Sequence, residues 1–311
     1  MSDRHPSLGG GDSVPSDREL GIDRLVAEPM LHEPILLVHM TGWIDAAGAA
    51  AVAAKRISDA AEASPIVRFD DDTYIDYRAR RPTMELRDGV NSNLAWPTLE
   101  LRAGRTPGPD GRDVLVLTGP EPDMAWHRFA RAMSRLAVDF DVKQMIALGA
   151  YPFAAPHTRE PRLSVSSPST EVLASVSFAR SSVDVPAGMA AVLEHTMHAL
   201  KIPALGVWSQ VPHYITSIEY PAASVALLDG FREVTGIDIE SSALSAEADE
   251  TRQRLDAMVS DDAEHRTMLA QLEELFDAAV AAEEDEVPSA DLEMRSGDEL
   301  AAEIQQFLRD Q

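Results

Sequence analysis

The clearest fold signal in the chain is the segment Ile35-Leu36-Leu37-Val38-His39-Met40-Thr41-Gly42-Trp43-Ile44-Asp45-Ala46-Ala47-Gly48. Its first part is an apolar run typical of a strand, and its second part is a glycine turn that opens an alanine-rich helix. An open α/β sheet uses this strand–turn–helix order to place a site at the carboxyl end of a strand. The segment therefore predicts an α/β fold with a functional loop after its first strand.

The same turn lacks the residues of a nucleotide-binding loop. It contains neither the Gly-x-Gly-x-x-Gly fingerprint nor a Gly-Lys-Ser/Thr ending. Trp43 stands where a phosphate cradle requires a small residue, and Asp45 would repel a phosphate at the helix N-terminus. Asp45 fits better as an N-cap or first-turn acid, which the helix dipole favours. The turn by itself indicates an architecture and no reaction.

The composition excludes several classes of protein. The chain has 311 residues and no cysteine, which excludes disulfides, thiol catalysis and thiolate metal sites. No apolar run reaches about 18 residues, so we expect no membrane span. The polar, glycine-rich beginning lacks a signal-peptide pattern. Together these features lead us to expect a cytoplasmic protein.

The charge of the chain argues against two kinds of partner. The formal net charge is −25, and residues 240–311 contain 21 Asp or Glu and only five Arg. Such a protein is repelled by nucleic-acid phosphates and by anionic lipids. We therefore expect it to bind neither nucleic acids nor membranes.

Alternating strand and helix patterns predict a mostly parallel, helix-covered sheet. The predicted strands are Ile35–Met40, Pro65–Phe69, Leu94–Leu101, Val114–Thr118, Gln144–Ala150, Leu163–Val165, Leu173–Phe178 and Ala204–Ser209. The predicted helices are Ala46–Ala63, Trp126–Phe140, Met189–Leu200 and Pro221–Thr235, and a polar loop is predicted over Asp70–Pro82. We divide the chain into a flexible leader (1–27), an α/β core (28–240) and an acidic helical extension (241–311).

The extension predicts a long helix. From Ser245 to about Glu284 it has no Gly or Pro, and its apolar residues keep near-heptad spacing that Asp262 interrupts. A second, short amphipathic helix is predicted over Glu299–Leu308. Because the strand–helix alternation is complete by Thr235, we expect the core to fold without the extension.

Several loop motifs together resemble one family. They are Gly42-Trp43-Ile44-Asp45-Ala46-Ala47-Gly48, Tyr74-Ile75-Asp76-Tyr77-Arg78-Ala79-Arg80-Arg81-Pro82-Thr83, Gly119-Pro120-Glu121-Pro122-Asp123 with Trp126, Gly149-Ala150-Tyr151-Pro152 with Pro156-His157-Thr158-Arg159, and Val211-Pro212-His213-Tyr214. As a set, they resemble the proteasome assembly chaperone family, second-subunit type, in its actinobacterial branch. The resemblance covers about residues 30–240 and the acidic tail.

The resemblance implies a three-layer α/β sandwich with a mixed sheet, like that of the purine nucleoside phosphorylases. It also implies a protein–protein role, because eukaryotic relatives pair and help to assemble proteasome α-rings. Those relatives engage their clients through a C-terminal hydrophobic motif that contains a Tyr. This chain ends Phe307-Leu308-Arg309-Asp310-Gln311, so the resemblance does not extend to that motif.

Nine residues form the predicted interaction or ligand site, since most of them follow strand ends. They are Trp43, Asp45, Arg78, Arg80, Arg81, His157, Arg159, His213 and Tyr214. The three arginines suit an anion or an acidic partner, or else they neutralise the neighbouring Asp70-Asp71-Asp72 and Asp76. Those aspartates lack the spacing of a calcium loop and are interpreted as a solvated run rather than a cation site. The tryptophans are expected in the core, with Trp43 as the exception.

We predict a non-enzymatic protein-binding module, without cofactor or metal, that assists assembly of a multisubunit complex such as the proteasome and is itself a homo-oligomer. The alternative is a nucleoside or nucleotide phosphorylase or hydrolase, in which an arginine binds phosphate and a histidine donates a proton. A closed pocket where Arg, His and carboxylate converge would favour the enzyme. An open strand edge with exposed apolar surface would favour the assembly role.

Overall fold

An eight-stranded mixed sheet with helices on both faces forms the centre of the computed structural model, which describes residues 15–27, 29–108, 111–260 and 262–285. The strands are β1 Ile22–Arg24, β2 Ile35–Val38, β3 Ser64–Phe69, β4 Thr83–Arg87, β5 Val90–Ala95, β6 Glu100–Arg105, β7 Asp113–Thr118, β8 Gln144–Phe153, β9 Leu163–Ser166 and β10 Ala204–Pro212. The helices are α1 Ala49–Ala60, α2 Asp71–Tyr74, α3 Trp126–Asp139, α4 Thr170–Ala174, α5 Met189–Ala199, α6 Pro221–Thr235, α7 Ser242–Ser260 and α8 Ala263–Asp285. The three-layer α/β class predicted from the sequence is confirmed.

The strand order explains where a site can lie. The large sheet runs β1-β3-β6-β7-β2-β8-β10-β9, and β4 and β5 form a separate two-stranded sheet. Strands β7, β2, β8 and β10 are parallel neighbours, whereas β1, β3, β6 and β9 each pair antiparallel. The four parallel strands therefore end at one edge of the sheet, and the loops that follow them share that edge.

Two apolar cores flank the sheet. One contains Ile57 of α1, Leu227 of α6 and Leu255 of α7, and the other contains Phe129 of α3 and Leu193 of α5. All four residues of β2 are buried, as expected for a central parallel strand covered on both faces. The hydrophobic run from Ile35 to Val38 is therefore the middle of the sandwich.

The structure corrects the boundary of the predicted leader. Residues 18–20 form a 3-10 turn and β1 pairs antiparallel with β3, so the end of the segment assigned to a flexible leader belongs to the sheet. Leu20 is buried, and its carbonyl oxygen accepts a hydrogen bond from the hydroxyl of Tyr74. Residues 1–14 lie outside the described residues.

Three further predictions were wrong in detail. The predicted strand over 94–101 is split, because β5 ends at Ala95 and β6 begins at Glu100. The segment 170–174, which overlaps the predicted strand 173–178, is a short helix whose N-cap Ser169 accepts a hydrogen bond from the backbone of Val172. The predicted loop over 70–82 begins with the short helix α2, whose last residue, Tyr74, is fully buried.

The acidic extension consists of two packed helices rather than one rod. Helix α7 ends at Ser260 and α8 begins at Ala263. The Asp262 side chain accepts a hydrogen bond from the backbone nitrogen of Glu264 and so caps α8. Leu244 and Leu255 of α7 join the core beside α6, and Leu272 of α8 is also buried. The predicted helix over 299–308 lies outside the described residues.

Candidate functional site

The predicted site residues are carried by loops that follow β2, β3, β8 and β10. Trp43 and Asp45 follow β2, the three arginines follow β3, His157 and Arg159 follow β8, and His213 and Tyr214 follow β10. β3 is antiparallel to β6, which is antiparallel to β7, so β3 also ends at the shared edge. This topology makes all four loops begin at the same edge of the sheet.

The carboxylate of Asp45 is hydrogen-bonded to the backbone of the helix that follows it. Its carboxylate accepts hydrogen bonds from the backbone nitrogens of Ala50 and Ala51 at 2.8 and 2.9 Å. The buried imidazole of His39 lies 3.4 Å from the same carboxylate. Asp45 therefore satisfies backbone donors in the first turn of α1, as its position in the sequence indicates.

Two other carboxylates at this edge also hold backbone in place. Glu121, which is 9% exposed, accepts a hydrogen bond from the backbone nitrogen of Met189 at the start of α5. Asp123 accepts one from the backbone nitrogen of Asp76 at 3.0 Å. These buried or half-buried acids are consequently committed to the structure of the loops.

The three predicted arginines have different environments. Arg80 pairs with Asp123, its Nε lying 3.0 Å and 3.1 Å from the two carboxylate oxygens, and its guanidinium covers the backbone of Gly42. Arg78 and Arg81 are exposed and form no ion pair within the described part of the chain. The cluster is thus split into one structural arginine and two that are available to an external anion or acidic surface.

His157 is buried, and both of its ring nitrogens lie within hydrogen-bond distance of a side chain. Its Nδ1 is 2.7 Å from the hydroxyl oxygen of Tyr214, and that oxygen also accepts a hydrogen bond from the backbone nitrogen of His157 at 2.9 Å. Its Nε2 is 3.2 Å from a carboxylate oxygen of Asp256 in α7. Burial lowers the pKa of His157 and outweighs the opposite effect of Asp256, so the neutral imidazole is favoured. Burial also raises the pKa of Tyr214 to about 12.

Arg159 and Thr158 extend this network to α8. Arg159 contacts Asp277 through two nitrogens at 2.7 and 2.9 Å and Glu273 at 3.2 Å, and the Thr158 hydroxyl donates to Glu273 at 2.5 Å. The loop after β8 therefore joins the core to both helices of the acidic extension. We call these contacts the core–tail latch, formed by His157, Thr158, Arg159, Tyr214, Asp256, Glu273 and Asp277. His213 remains exposed, with its ring against that of Tyr214.

The predicted residues accordingly form two groups rather than one pocket. Trp43, Asp45 and Arg80 belong to the β2–β7 side of the edge, and His157, Arg159 and Tyr214 belong to the latch. No hydrogen bond or ion pair joins the two groups in residues 15–285 as far as these are described. A cleft of about 370 Å³ lies at the opposite end of the sheet, lined by His32, Glu33, Arg105, Gly111 and Arg112.

Exposed apolar side chains cover the same edge of the sheet. Trp43, which is 46% exposed as predicted, contacts the position of Gly188, where an added Cβ would lie 2.9 Å from the indole. Ile44, Met124, Val185 and Ile218 are between 40% and 66% exposed in the neighbouring loops. We call Trp43, Ile44, Met124, Val185 and Ile218 the apolar edge.

Sequence reasoning missed a second exposed apolar feature. β4 and β5 form a hairpin joined by Asp88-Gly89, and every residue of both strands is exposed. Trp96, expected in the core, follows this hairpin and is 50% exposed, with its ring 4.9 Å from that of Tyr77. The Asp-Gly pair is a known hairpin signal and was the clue in the sequence. We call residues 83–95 the arm.

The aspartate run shows the features of a structural loop. Asp70 accepts a hydrogen bond from the Thr73 hydroxyl, and Asp76 accepts one from the backbone nitrogen of Arg78 at 2.9 Å. Within the described residues, no group of three or more His, Cys, Asp or Glu side chains could hold a metal ion. Likewise, none of the helices in those ranges combines the length and apolar character needed to cross a bilayer.

One buried carboxyl group lies away from these loops. Glu194 of α5 is 4% exposed and accepts a hydrogen bond from the Ser166 hydroxyl at 3.2 Å, while the indole nitrogen of Trp208 lies 3.2 Å from the same hydroxyl. Burial raises the pKa of Glu194 to about 7. The group is therefore partly protonated near neutral pH.

Comparison with known proteins gives consistent results. The model of the PAC2 family matches residues 39–259. A Mycobacterium tuberculosis protein of unknown function is 30% identical, with 92% of this chain and 95% of that chain covered and a TM-score of 0.76. A proteasome-assembly chaperone homologue from the same organism is also 30% identical, with 76% and 99% covered and a TM-score of 0.70. Curated protein sequences include no significant match.

A more distant structure shares the fold alone. The archaeal proteasome activator PbaB from Pyrococcus furiosus is 16% identical, with 77% of this chain and 99% of that chain covered and a TM-score of 0.56. The family match spans more than half of the 311 residues and includes all five loop motifs in full. The resemblance inferred from those motifs is confirmed, and the chain belongs to the PAC2 family.

Proposed function

We propose that this protein is a non-enzymatic assembly chaperone that binds subunits of a multisubunit complex, with proteasome subunits as the foremost candidates. The proposal rests on the side chains found at the edge where the four parallel strands end. Its carboxylates Asp45 and Glu121 accept backbone hydrogen bonds, apolar side chains are exposed on its surface, and one of its two predicted histidines, His157, is engaged on both ring nitrogens.

An enzyme of the alternative class needs a free acid–base group beside an anion site. Here Asp45, Glu121 and Asp123 already accept backbone hydrogen bonds, and His157 is buried between Tyr214 and Asp256. A nucleoside would have to displace these contacts before any of the groups could act on it. The arrangement therefore supports binding rather than group transfer.

Exposed apolar side chains that gather at one edge mark a protein-binding surface. Trp43, Met124 and Ile218 are each about half exposed and follow three different parallel strands. Aromatic and methionine side chains are enriched at the centres of protein interfaces. The apolar edge is therefore our candidate for the surface that meets the client.

The choice of client rests on the relatives. One relative is described as a proteasome-assembly chaperone homologue, and a protein of the same fold is described as an archaeal proteasome activator. We extend that association to this chain and propose proteasome α-subunits as the client. Since such a client is cytoplasmic, we also propose a cytoplasmic location.

The test uses the full chain and purified proteasome α-subunits from the same organism. Native mass spectrometry would follow binding and the appearance of α-ring intermediates with and without the protein. We expect complexes and faster ring formation with the wild type. Met124→Asp and Ile218→Asp should each weaken binding at least tenfold, because a charge is placed in an apolar contact.

Val138→Asp is the matched control. Val138 is 60% exposed near the end of α3, which leads into the start of β8 and so lies at the opposite edge of the sheet. It should bind as the wild type does. The proposal fails if the wild type neither binds α-subunits nor changes ring formation, or if the edge variants and Val138→Asp behave alike.

A further inference from the structure

Within the described residues, no other element covers the arm. All eleven residues of β4 and β5 are exposed, and the two strands pair only with each other in the described sheets. A lone two-stranded hairpin is marginally stable in water, because it has no third strand or helix against which to bury a face. A surface outside the described part of the chain would therefore stabilise the arm.

One face of the arm is apolar. Met84 pairs across the hairpin with Leu94, and Leu86 lies two residues further along the same strand, so the three side chains share a face. They are 49%, 42% and 53% exposed respectively. Trp96, against Tyr77, stands at the base of this face.

Arginines gather at the start of the arm. The segment 78–82 contains three Arg, so residues 78–95 contain four Arg and two acids, whereas the chain carries a net −25. Arg80 is held by Asp123, which leaves Arg78, Arg81 and Arg87 as an exposed basic rim without an ion pair in the described residues. The arm and the segment that leads into it thus combine an apolar face with a basic rim, which fits an amphipathic acidic surface.

The chain itself presents such a surface on α8. Residues 242–285 contain 13 Asp or Glu and three Arg. Leu272 of α8 is buried, whereas Leu275, one turn further along on the adjoining flank of the helix, is 66% exposed. Ala278, Ala279 and Ala282 follow Leu275 at helical spacing and are also exposed, as is the neighbouring Glu274. This outer stripe is apolar with an acidic border.

We propose that the arm of one copy binds the outer stripe of α8 in a second copy. Met84, Leu86 and Leu94 would pack on Leu275 and its alanines, and the basic rim would face the acids of α7 and α8. In the described part of a single chain both surfaces are exposed, so neither covers the other. Two chains of net −25 repel each other, and the basic rim beside the arm would attract the acids of the second copy.

The contact joins different surfaces of the two copies. It forms either a reciprocal two-fold pair, in which each copy gives its arm to the other, or a head-to-tail ring. This inference does not rest on the proposed chaperone function, because it concerns the arm and α8 rather than the apolar edge. A self-associating protein without a proteasome client would satisfy the inference and contradict the function.

The test is the mass of the full chain by light scattering over a range of concentration and salt. The wild type should be an oligomer at low salt and should dissociate more readily as salt rises. Arg78→Glu with Arg81→Glu, or Glu274→Arg with Leu275→Asp, should raise the dissociation constant at least tenfold. Arg112→Glu, which changes an exposed arginine beside the start of β7, is the control and should keep the wild-type mass.

A mixing experiment tests whether the arm binds α8 of a second copy. The Arg78→Glu, Arg81→Glu protein mixed with a Glu274→Arg protein should associate better than either protein alone, because opposite charges are restored across the contact. Circular dichroism must show that each variant is folded. A wild type that stays a single chain at all concentrations overturns the inference, and so does dissociation by both variants without recovery on mixing.

Discussion

The hydroxyl oxygen of Tyr214 lies 2.7 Å from Nδ1 and 2.9 Å from the backbone nitrogen of His157, residues that are 57 positions apart in the chain. The hydroxyl donates to Nδ1 of the neutral ring and accepts from the backbone, while Nε2–H donates to Asp256. Two loops that follow neighbouring parallel strands are thereby fixed to each other and to α7. These residue types could serve in catalysis, but here their hydrogen bonds hold the two loops and α7 together.

The first prediction concerns the pH dependence of the latch. Because burial lowers the pKa of His157 from its ordinary 6.5, the unfolded chain takes up a proton more readily than the folded one. The stabilising contribution is present above pH 6.5 and is lost as the pH falls toward the folded-state pKa. His157→Gln should lose less stability than the wild type between pH 7.5 and pH 5 in denaturant titrations. Equal losses in the two proteins would refute this assignment.

The second prediction concerns Glu194, where the sign is opposite. Its pKa is raised from 4.5 to about 7, so the folded state binds more protons between these values and stability falls as pH rises through them. A shift of this size corresponds to a penalty of about 3 kcal/mol at most. Glu194→Gln should be more stable than the wild type at pH 8 and similar at pH 4. The exposed Glu219→Gln is the control and should follow the wild type.

The third prediction concerns packing between β8 and β10. Gly149 is the register partner of Trp208, and a Cβ at Gly149 would overlap the indole ring. Gly149→Ala should therefore destabilise the protein by about 1–3 kcal/mol. The double variant with Trp208→Leu should lose less than the sum of the two single losses, since the ring that clashes is gone. Additive losses in thermal unfolding would show that the clash is not the cause.

The fourth prediction concerns the acidic extension. Leu244 and Leu255 of α7 are buried in the core, so a chain ending at residue 240 leaves apolar surface of α6 uncovered. We expect this truncation to cost several kcal/mol, about the cost of emptying two leucine sites. A chain ending at residue 260 retains both leucines and should lose much less. Identical unfolding curves for the 240-residue chain and the full chain would show that the core is independent of α7.

The fifth prediction tests the enzymatic alternative. We expect no base release from inosine, adenosine or guanosine with phosphate, because His157 is engaged on both nitrogens and the nearby acids hold backbone. Chromatography of the reaction mixture measures the free base. Release by the wild type that is abolished in His157→Ala would establish a catalytic role for the histidine.

Local sequence determined much of the framework. The apolar run at Ile35–Val38 is a central buried strand because hydrophobic residues without polar alternation require cover on both faces. Helix α6 has the predicted bounds, because Pro221 suits the first turn and Gly236 adopts the left-handed conformation with φ of 74° at the end. These features depend on a few neighbouring residues, and short-range propensity specifies them.

Tertiary structure alone decided which surfaces are occupied. From the sequence, His157 is a loop histidine available to a ligand. In the folded chain, α7 places Asp256, 99 residues away, beside its ring. From the sequence, Trp96 is expected in the core. In the structure it follows the exposed hairpin and is half exposed. Periodicity reports which residues are apolar or polar and nothing about contacts across the chain, because those depend on how the layers pack. The latch and the arm are therefore properties of the folded chain.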